Sequence, residues 1–221
     1  MKVAQGPLRG QTAPTINRLS KTSLMDLLLI RHGLPLHIEN ADGQPADPPL
    51  SDIGREQARL VARWLADERI DRLYSSPMQR ALETAAPLAE LQQLEIEVEP
   101  GVAEYDRHDA TYVPMERLKE VDYERWVRIM RGDIIADFAA FAQTVVQSLE
   151  RIVDTNPGRR VAVTCHGGVI NIWSAHVMGI TPPRFFFNPD YTSVNRFVCA
   201  RSGEKTVRTL NEAVHLRTVQ G

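Results

Sequence analysis

The run Asp26-Leu27-Leu28-Leu29-Ile30 stops abruptly at Arg31-His32-Gly33. The run is far too short to span a membrane and reads as a buried strand rather than a helix. Residues just past a buried strand stand at the carboxyl rim of its sheet, where open α/β sheets hold ligands. Gly33 has no Cβ, so the chain can turn tightly there and a ligand can come close. His32 is a candidate nucleophile and Arg31 a candidate anion holder. A strand that merely ends in polar residues would read the same way, so other parts of the chain must decide.

A second run, Arg160-Val161-Ala162-Val163-Thr164-Cys165, ends in His166-Gly167-Gly168. Residues 169–178 are apolar nearly all round, which predicts a buried helix. His166 then stands at a helix start, where free backbone N–H groups favour anions. A polar cap is the competing reading, and the two adjacent glycines tilt the balance toward a ligand. Residues 72–75 predict another strand, with Ser76-Pro77 as N-cap and first residue of the next helix. Met78, Ala81, Leu82, Ala85 and Leu88 give that helix its buried stripe. Arg80 falls in its first turn, where the macrodipole opposes a cation. A bound anion would account for it; a surface arginine is the alternative.

The remaining elements alternate in type. Ser51 predicts an N-cap for a helix with Ile53, Gln57, Leu60, Val61, Trp64 and Leu65 on its apolar face. Its Arg55, Glu56, Arg59 and Arg63 read as a solvated surface. Residues 34–49, rich in Pro, Asp, Asn and Gly, read as a loop. Residues 95–99 alternate as a strand, and residues 112–119 as a loop or short helix. Tyr123, Trp126, Val127 and Met130 form a helical stripe closed by Gly132. Phe138, Phe141, Ala142, Val145, Leu149, Ile152 and Val153 form another. Phe185-Phe186-Phe187 reads as cover for a core edge, and residues 195–200 and 205–210 as a hairpin. The alternation predicts one three-layer α/β domain.

Composition narrows the function. At 221 residues, 43% hydrophobic and 24% charged, the chain suits a single globular domain. A net charge of −2 gives no general attraction to nucleic acid or to an acidic membrane. Residues 1–25 carry Lys2, Arg9, Arg18 and Lys21 and no acid, so this stretch holds +4 and residues 26–221 hold −6. It reads as a basic, mobile extension, or as an upstream start before a natural beginning at Met25, and residues 26–221 as the single catalytic domain. It lacks the apolar core of a secretory signal. Cys165 and Cys199 both lie in apolar runs and are expected as buried free thiols in a reducing compartment, the cytoplasm.

Two apolar strands thus end in histidine and glycine, and two arginines stand near them. The histidines lack a local ligand spacing, and adjacent arginines would repel a dication, so no metal is expected. Two cations and a helix N-terminus suit a phosphate instead. Here the chain resembles the histidine phosphatase superfamily, the phosphoglycerate-mutase-like group. The resemblance rests on Leu29-Ile30-Arg31-His32-Gly33, Leu50-Ser51-Asp52-Ile53-Gly54-Arg55-Glu56-Gln57-Ala58, Tyr74-Ser75-Ser76-Pro77-Met78-Gln79-Arg80-Ala81-Leu82-Glu83-Thr84-Ala85 and Val163-Thr164-Cys165-His166-Gly167-Gly168. It spans about residues 26–210, on domain-size reasoning.

The resemblance implies a three-layer α/β/α sandwich with a mostly parallel central sheet. It implies a cofactor-independent phosphomonoesterase acting on a small phosphorylated metabolite. His32 would form the phosphohistidine, and Arg31, Arg80 and His166 would ring the phosphoryl group, with Gly167 beside it. Glu104 would protonate the leaving oxygen and then activate water; Asp106, Asp109 and Glu116 are nearby alternatives. Asn40 is the nearest asparagine for a phosphate contact that such proteins usually place soon after Arg-His-Gly. The chain is short for a mutase, which favours a phosphatase. A phosphoglycerate mutase-type phosphotransferase is the alternative, followed by a non-enzymatic phospho-ligand-binding module. No nucleic acid or membrane partner is implied, and a homodimer is compatible with the reading. Tyr105, Arg107, His108, Tyr112 and residues 34–49 are the candidate substrate selectors.

Overall fold

Alternate residues of the first strand, β1 (Leu24–Arg31), face opposite sides of the sheet, and both sides are dry: Leu27 and Leu29 enter one core, Leu28 and Ile30 the other. Each such leucine contributes about 2 kcal/mol on leaving water. The computed structural model describes residues 24–219, apart from residues 41, 132, 134–136 and 183. The extension expected at residues 1–25 therefore lies outside the described residues up to position 23. Leu24 and Met25 belong to β1, and Met25 is core, so these two residues, expected in the extension, are part of the domain.

After β1 come β2 (Ile38–Glu39), α1 (Asp52–Trp64), β3 (Arg72–Ser75), α2 (Gln79–Gln92), β4 (Ile96–Val98) and a 3-10 turn at Pro100–Val102. Next are β5 (Thr111–Tyr112), α3 (Met115–Val121), α4 (Tyr123–Arg131), α5 (Phe138–Thr155), β6 (Arg160–Cys165) and α6 (Gly167–Met178). The chain closes with β7 (Val194–Ala200), β8 (Lys205–Glu212) and a 3-10 segment at Val214–Val219. The main sheet has the order β4-β3-β6-β1-β7-β8. Its first four strands are mutually parallel, and the β7–β8 hairpin adds antiparallel to β1. β2 and β5 form a separate antiparallel pair. α1 and α2 cover one face, α5 and α6 the other, which gives the expected three layers.

Several local expectations shift. Ser51 caps α1 as predicted, its hydroxyl accepting from Gly54 N–H at 3.0 Å. Ile53, expected inside, is exposed because it lies in the first turn, beyond the edge of the core. α2 starts at Gln79, not at Pro77. The Asp47 carboxylate takes the Gln79 N–H at 2.9 and 3.1 Å, so the cap comes from the preceding loop. α4 buries Ile129, whereas Tyr123 is exposed and stacks on Trp126 at 5.6 Å; Gly132 lies outside the described residues. Phe185 is buried and Phe186 exposed. Both cysteines are free and buried. Among the described residues no helix is long and apolar enough to cross a membrane.

Candidate active site

β1 and β6 are parallel neighbours with Arg31 opposite Cys165. The next residues, His32 and His166, therefore leave adjacent strands in step. Their ring centroids are 5.1 Å apart, and His32 N–H donates to the Cys165 carbonyl at 2.9 Å. Both rings are buried. Burial, then the charges of Arg80 and Arg31, hold the His32 imidazole well below its ordinary pKa. Burial and Arg80 likewise depress His166. Both are neutral near pH 7. His32 Nδ1 lies 2.7 Å from the Gly33 carbonyl, which only accepts, so the proton sits on Nδ1 and the lone pair on Nε2.

The backbone after His32 is clamped. A Cβ on Gly33 would stand 2.6 Å from the Gly54 carbonyl oxygen, and one on Gly54 only 2.1 Å from that of Leu34. Gly33 N–H donates to Thr84 Oγ1 at 2.9 Å and Leu34 N–H to Gln57 Oε1 at 2.9 Å. Ser51 Oγ donates to the Leu34 carbonyl at 2.8 Å while it caps α1. The Leu50–Ala58 stretch thus works as a scaffold that holds the turn after His32.

Arg31 and Arg80 are both buried. Arg31 Nη1 donates to the Pro189 carbonyl and lies 3.7 Å from Glu116, and its guanidinium sits 4.0 Å over the Tyr191 ring. Arg80 donates from Nη2 to Asp106 at 3.0 Å and sits 4.5 Å over the Tyr112 ring. Each keeps donors in reserve: Arg31 Nε, Arg80 Nε and Arg80 Nη1 are buried and have no partner among the described residues. His166 Nδ1 is in the same condition. His166 Nε2 lies 2.8 Å from Ser76 Oγ, which also accepts from Met78 N–H. If the Ser76 hydroxyl proton is given to that contact, the imidazole proton sits on Nδ1. Ser76, expected as a helix cap, serves the imidazole instead. Buried donors without partners are costly unless an acceptor arrives.

Glu104 is buried against the start of α6. Its Oε2 accepts from Gly168 N–H at 2.8 Å and its Oε1 from Tyr105 N–H at 3.2 Å. Burial, then the charge of Asp106, raises its pKa to about 7 against the pull of these bonds and of Arg80. Asp106 is occupied by Arg80. Glu104 is thus the carboxyl suited to carry a proton near neutrality. Gly168 is a spatial requirement, since a Cβ there would stand 2.2 Å from Glu104 Oε1.

A cavity of about 230 Å³ opens beside this group, with Arg31, Arg80, Glu104, Asp106 and Gly167 on its wall; the two histidines are not on that wall. Tyr105, Asp109 and Tyr112 also line it, whereas Arg107, His108 and the described residues of 34–49 do not. Asn40 is spent within its own loop, donating to the carbonyls of Gln44 and Pro45 at 2.9 and 3.1 Å. It is not brought to the arginines, because β2 pairs with β5 and carries the loop aside. His37 and Glu39 bond each other at the surface. Sequence reasoning missed Tyr191, Ser76 and Arg125 as neighbours of the site, and missed that α3 and α4 wall the cavity. The half-buried Met115 and Met130 belong to that wall, and nothing in helical periodicity separates a core stripe from a cavity stripe.

The model of the histidine phosphatase superfamily, branch 1, matches residues 27–213. Phosphoserine phosphatase 1 of Hydrogenobacter thermophilus is 32% identical over 114 residues, 47% of this chain and 51% of that protein. A probable phosphatase of Schizosaccharomyces pombe is 28% identical over 209 residues, 88% of this chain and 96% of that protein. The structure of a putative alpha-ribazole-5'-P phosphatase from Escherichia coli superposes with a TM-score of 0.67 at 26% identity, over 85% of this chain and 96% of that one. A mycobacterial glucosyl-3-phosphoglycerate phosphatase superposes at 0.68 with 18% identity, over 86% and 100%, a likeness of fold. With the match running from the second leucine of β1 to the end of β8, the chain belongs to the histidine phosphatase superfamily.

Proposed function

We propose that the protein is a phosphomonoesterase that needs no cofactor and works through a phosphohistidine on His32. The observation that carries this reading is the set of buried donors without partners: Arg31 Nε, Arg80 Nε and Nη1, and His166 Nδ1. Three phosphoryl oxygens would satisfy them. Phosphoryl transfer spreads charge over those oxygens, so prearranged cations and N–H groups act where charge develops.

In the first step His32 Nε2 forms a bond to phosphorus as the ester P–O bond breaks. Glu104, protonated near pH 7, gives its proton to the departing oxygen. In the second step the Glu104 carboxylate takes a proton from water, the water oxygen bonds phosphorus, and the N–P bond breaks to free phosphate. Glu104 regains its proton and His32 its lone pair.

His32→Ala tests this with an aryl phosphate as substrate. Turnover should fall to background in a folded protein, and an acid-labile, base-stable phosphoenzyme should form only in the parent. Vanadate should inhibit and EDTA should not. Retained turnover in His32→Ala would refute the mechanism. The mutase alternative draws on a likeness to phosphoglycerate mutase-like protein 4 of Arabidopsis thaliana, 26% identical over 201 residues. Incubation with 3-phosphoglycerate separates the two: free phosphate supports the phosphatase, the 2-phospho isomer the mutase.

A further inference from the structure

We propose that the cavity selects phosphate monoesters whose alcohol portion is apolar and uncharged, such as a branched, alicyclic or aromatic alcohol. The proposal rests on the phosphatase reading above and names its substrate class. Beyond Glu104, beside the uncharged polar Thr111, Tyr112 and Asn188, the cavity wall carries Val113, Met115, Leu118, Ile129, Phe185 and Phe187. They come from three separate stretches of chain. Leu118, Ile129 and Phe185 are buried, so this wall is continuous with the main core.

Most of the charged groups on the wall belong to the phosphoryl seat. Arg31 and Arg80 face the phosphoryl position, and Asp106 is held by Arg80 at 3.0 Å. Asp109 and Arg125 also line the cavity and are exposed. A carboxylate on the leaving group would lose water against apolar walls and meet Asp106 and Asp109 at close range. The cation it could reach, Arg125, is exposed and screened by water. An apolar group would instead release water from these walls. The volume of about 230 Å³ lies below the roughly 300–1,000 Å³ of drug-sized ligand pockets, which suits a metabolite-sized ester.

The test compares n-hexyl phosphate, ethyl phosphate and O-phosphoserine, all esters of primary alcohols, on the intact protein. Hexyl phosphate should give a kcat/KM at least about tenfold above each of the others, since one buried methylene is worth about that much in a fitted pocket. Phe187→Ser and Met115→Gln, at half-buried positions, should each cut the hexyl-to-ethyl ratio severalfold. Equal kcat/KM for all three, or a preference for phosphoserine, overturns the proposal and leaves the phosphatase reading standing. An unchanged ratio in both variants overturns it as well. No turnover of any ester, aryl phosphates included, overturns both readings.

Discussion

Glu104 Oε2 accepts the backbone N–H of Gly168 at 2.8 Å, and a Cβ at position 168 would stand 2.2 Å from Glu104 Oε1. The carboxyl and the helix start share one small space. Gly168→Ala should therefore push the acid out of place while leaving His32 and the arginines where they are. Turnover of an alkyl phosphate should fall by about 10²-fold or more, the usual worth of a positioned acid. Turnover of 4-nitrophenyl phosphate, whose leaving group needs no proton, should fall far less. Equal losses on the two substrates would place the acid elsewhere, with Asp106 next to examine.

The pH dependence comes from the same carboxyl. Glu104 gives up its proton at about pH 7, and a bound phosphate dianion would raise that value further. His32 is depressed well below 6.5 by burial and the arginines, so it stays unprotonated on the acid side. The kcat for an alkyl phosphate, which reports the substrate-bound enzyme, should hold level through neutrality and decline only at the raised value above pH 7. In Glu104→Gln the residual rate should lose this alkaline limb. A limb that persists in the variant would assign it to another group.

Stability should carry the opposite sign to the usual carboxylate. Burial raises Glu104 from 4.5 to about 7, so the folded state keeps a proton that the unfolded chain releases. The contribution of Glu104 to stability is greatest below about pH 4.5 and falls as pH rises to about 7, by about 3 kcal/mol in all. Glutamine has no proton to lose and can still accept from Gly168 N–H. Glu104→Gln should thus gain on the parent between pH 5 and pH 8, read as the difference in urea midpoint. A difference that does not change with pH would show that Glu104 ionises as an ordinary carboxyl.

Gly54→Ala tests the scaffold at a distance from the cavity. The new methyl would stand 2.1 Å from the Leu34 carbonyl oxygen, so α1 or the turn after Gly33 must move. Overpacking of this kind costs about 1–3 kcal/mol, and displacement of the His32 turn should lower kcat on every substrate alike. Full activity together with full stability would show that the clamp is not needed.

Much of the fold is legible because burial writes it plainly. β3 and β6 coincide with their apolar runs residue for residue, and the paired His-Gly ends point to the rim. What escaped depends on contacts between distant segments. Ser76 looks like a helix cap, but its hydroxyl is taken by His166, and Asp47 caps α2 from 32 residues earlier in the chain. Ile53 and Tyr123 keep the right spacing but lie where the core ends, and periodicity does not tell how far a neighbour reaches. Asn40 is near His32 in sequence only. Leu118 and Ile129 satisfy a core pattern while also forming the wall of a cavity.

His32 and His166 leave neighbouring strands in register, so their spacing is set by the interstrand distance of the sheet, about 4.8 Å, and not by any loop. On the proposed reading, the walls that meet the rest of the substrate belong to α3, α4 and the Phe185–Phe187 stretch, all outside the main sheet. Reactivity and preference are therefore written on separate pieces of chain. Exchanging residues 117–131 for the matching stretch of a relative, with Glu116 kept beside Arg31, would be a transplant: it should alter which ester is taken and leave intact the seat in which phosphorus is attacked.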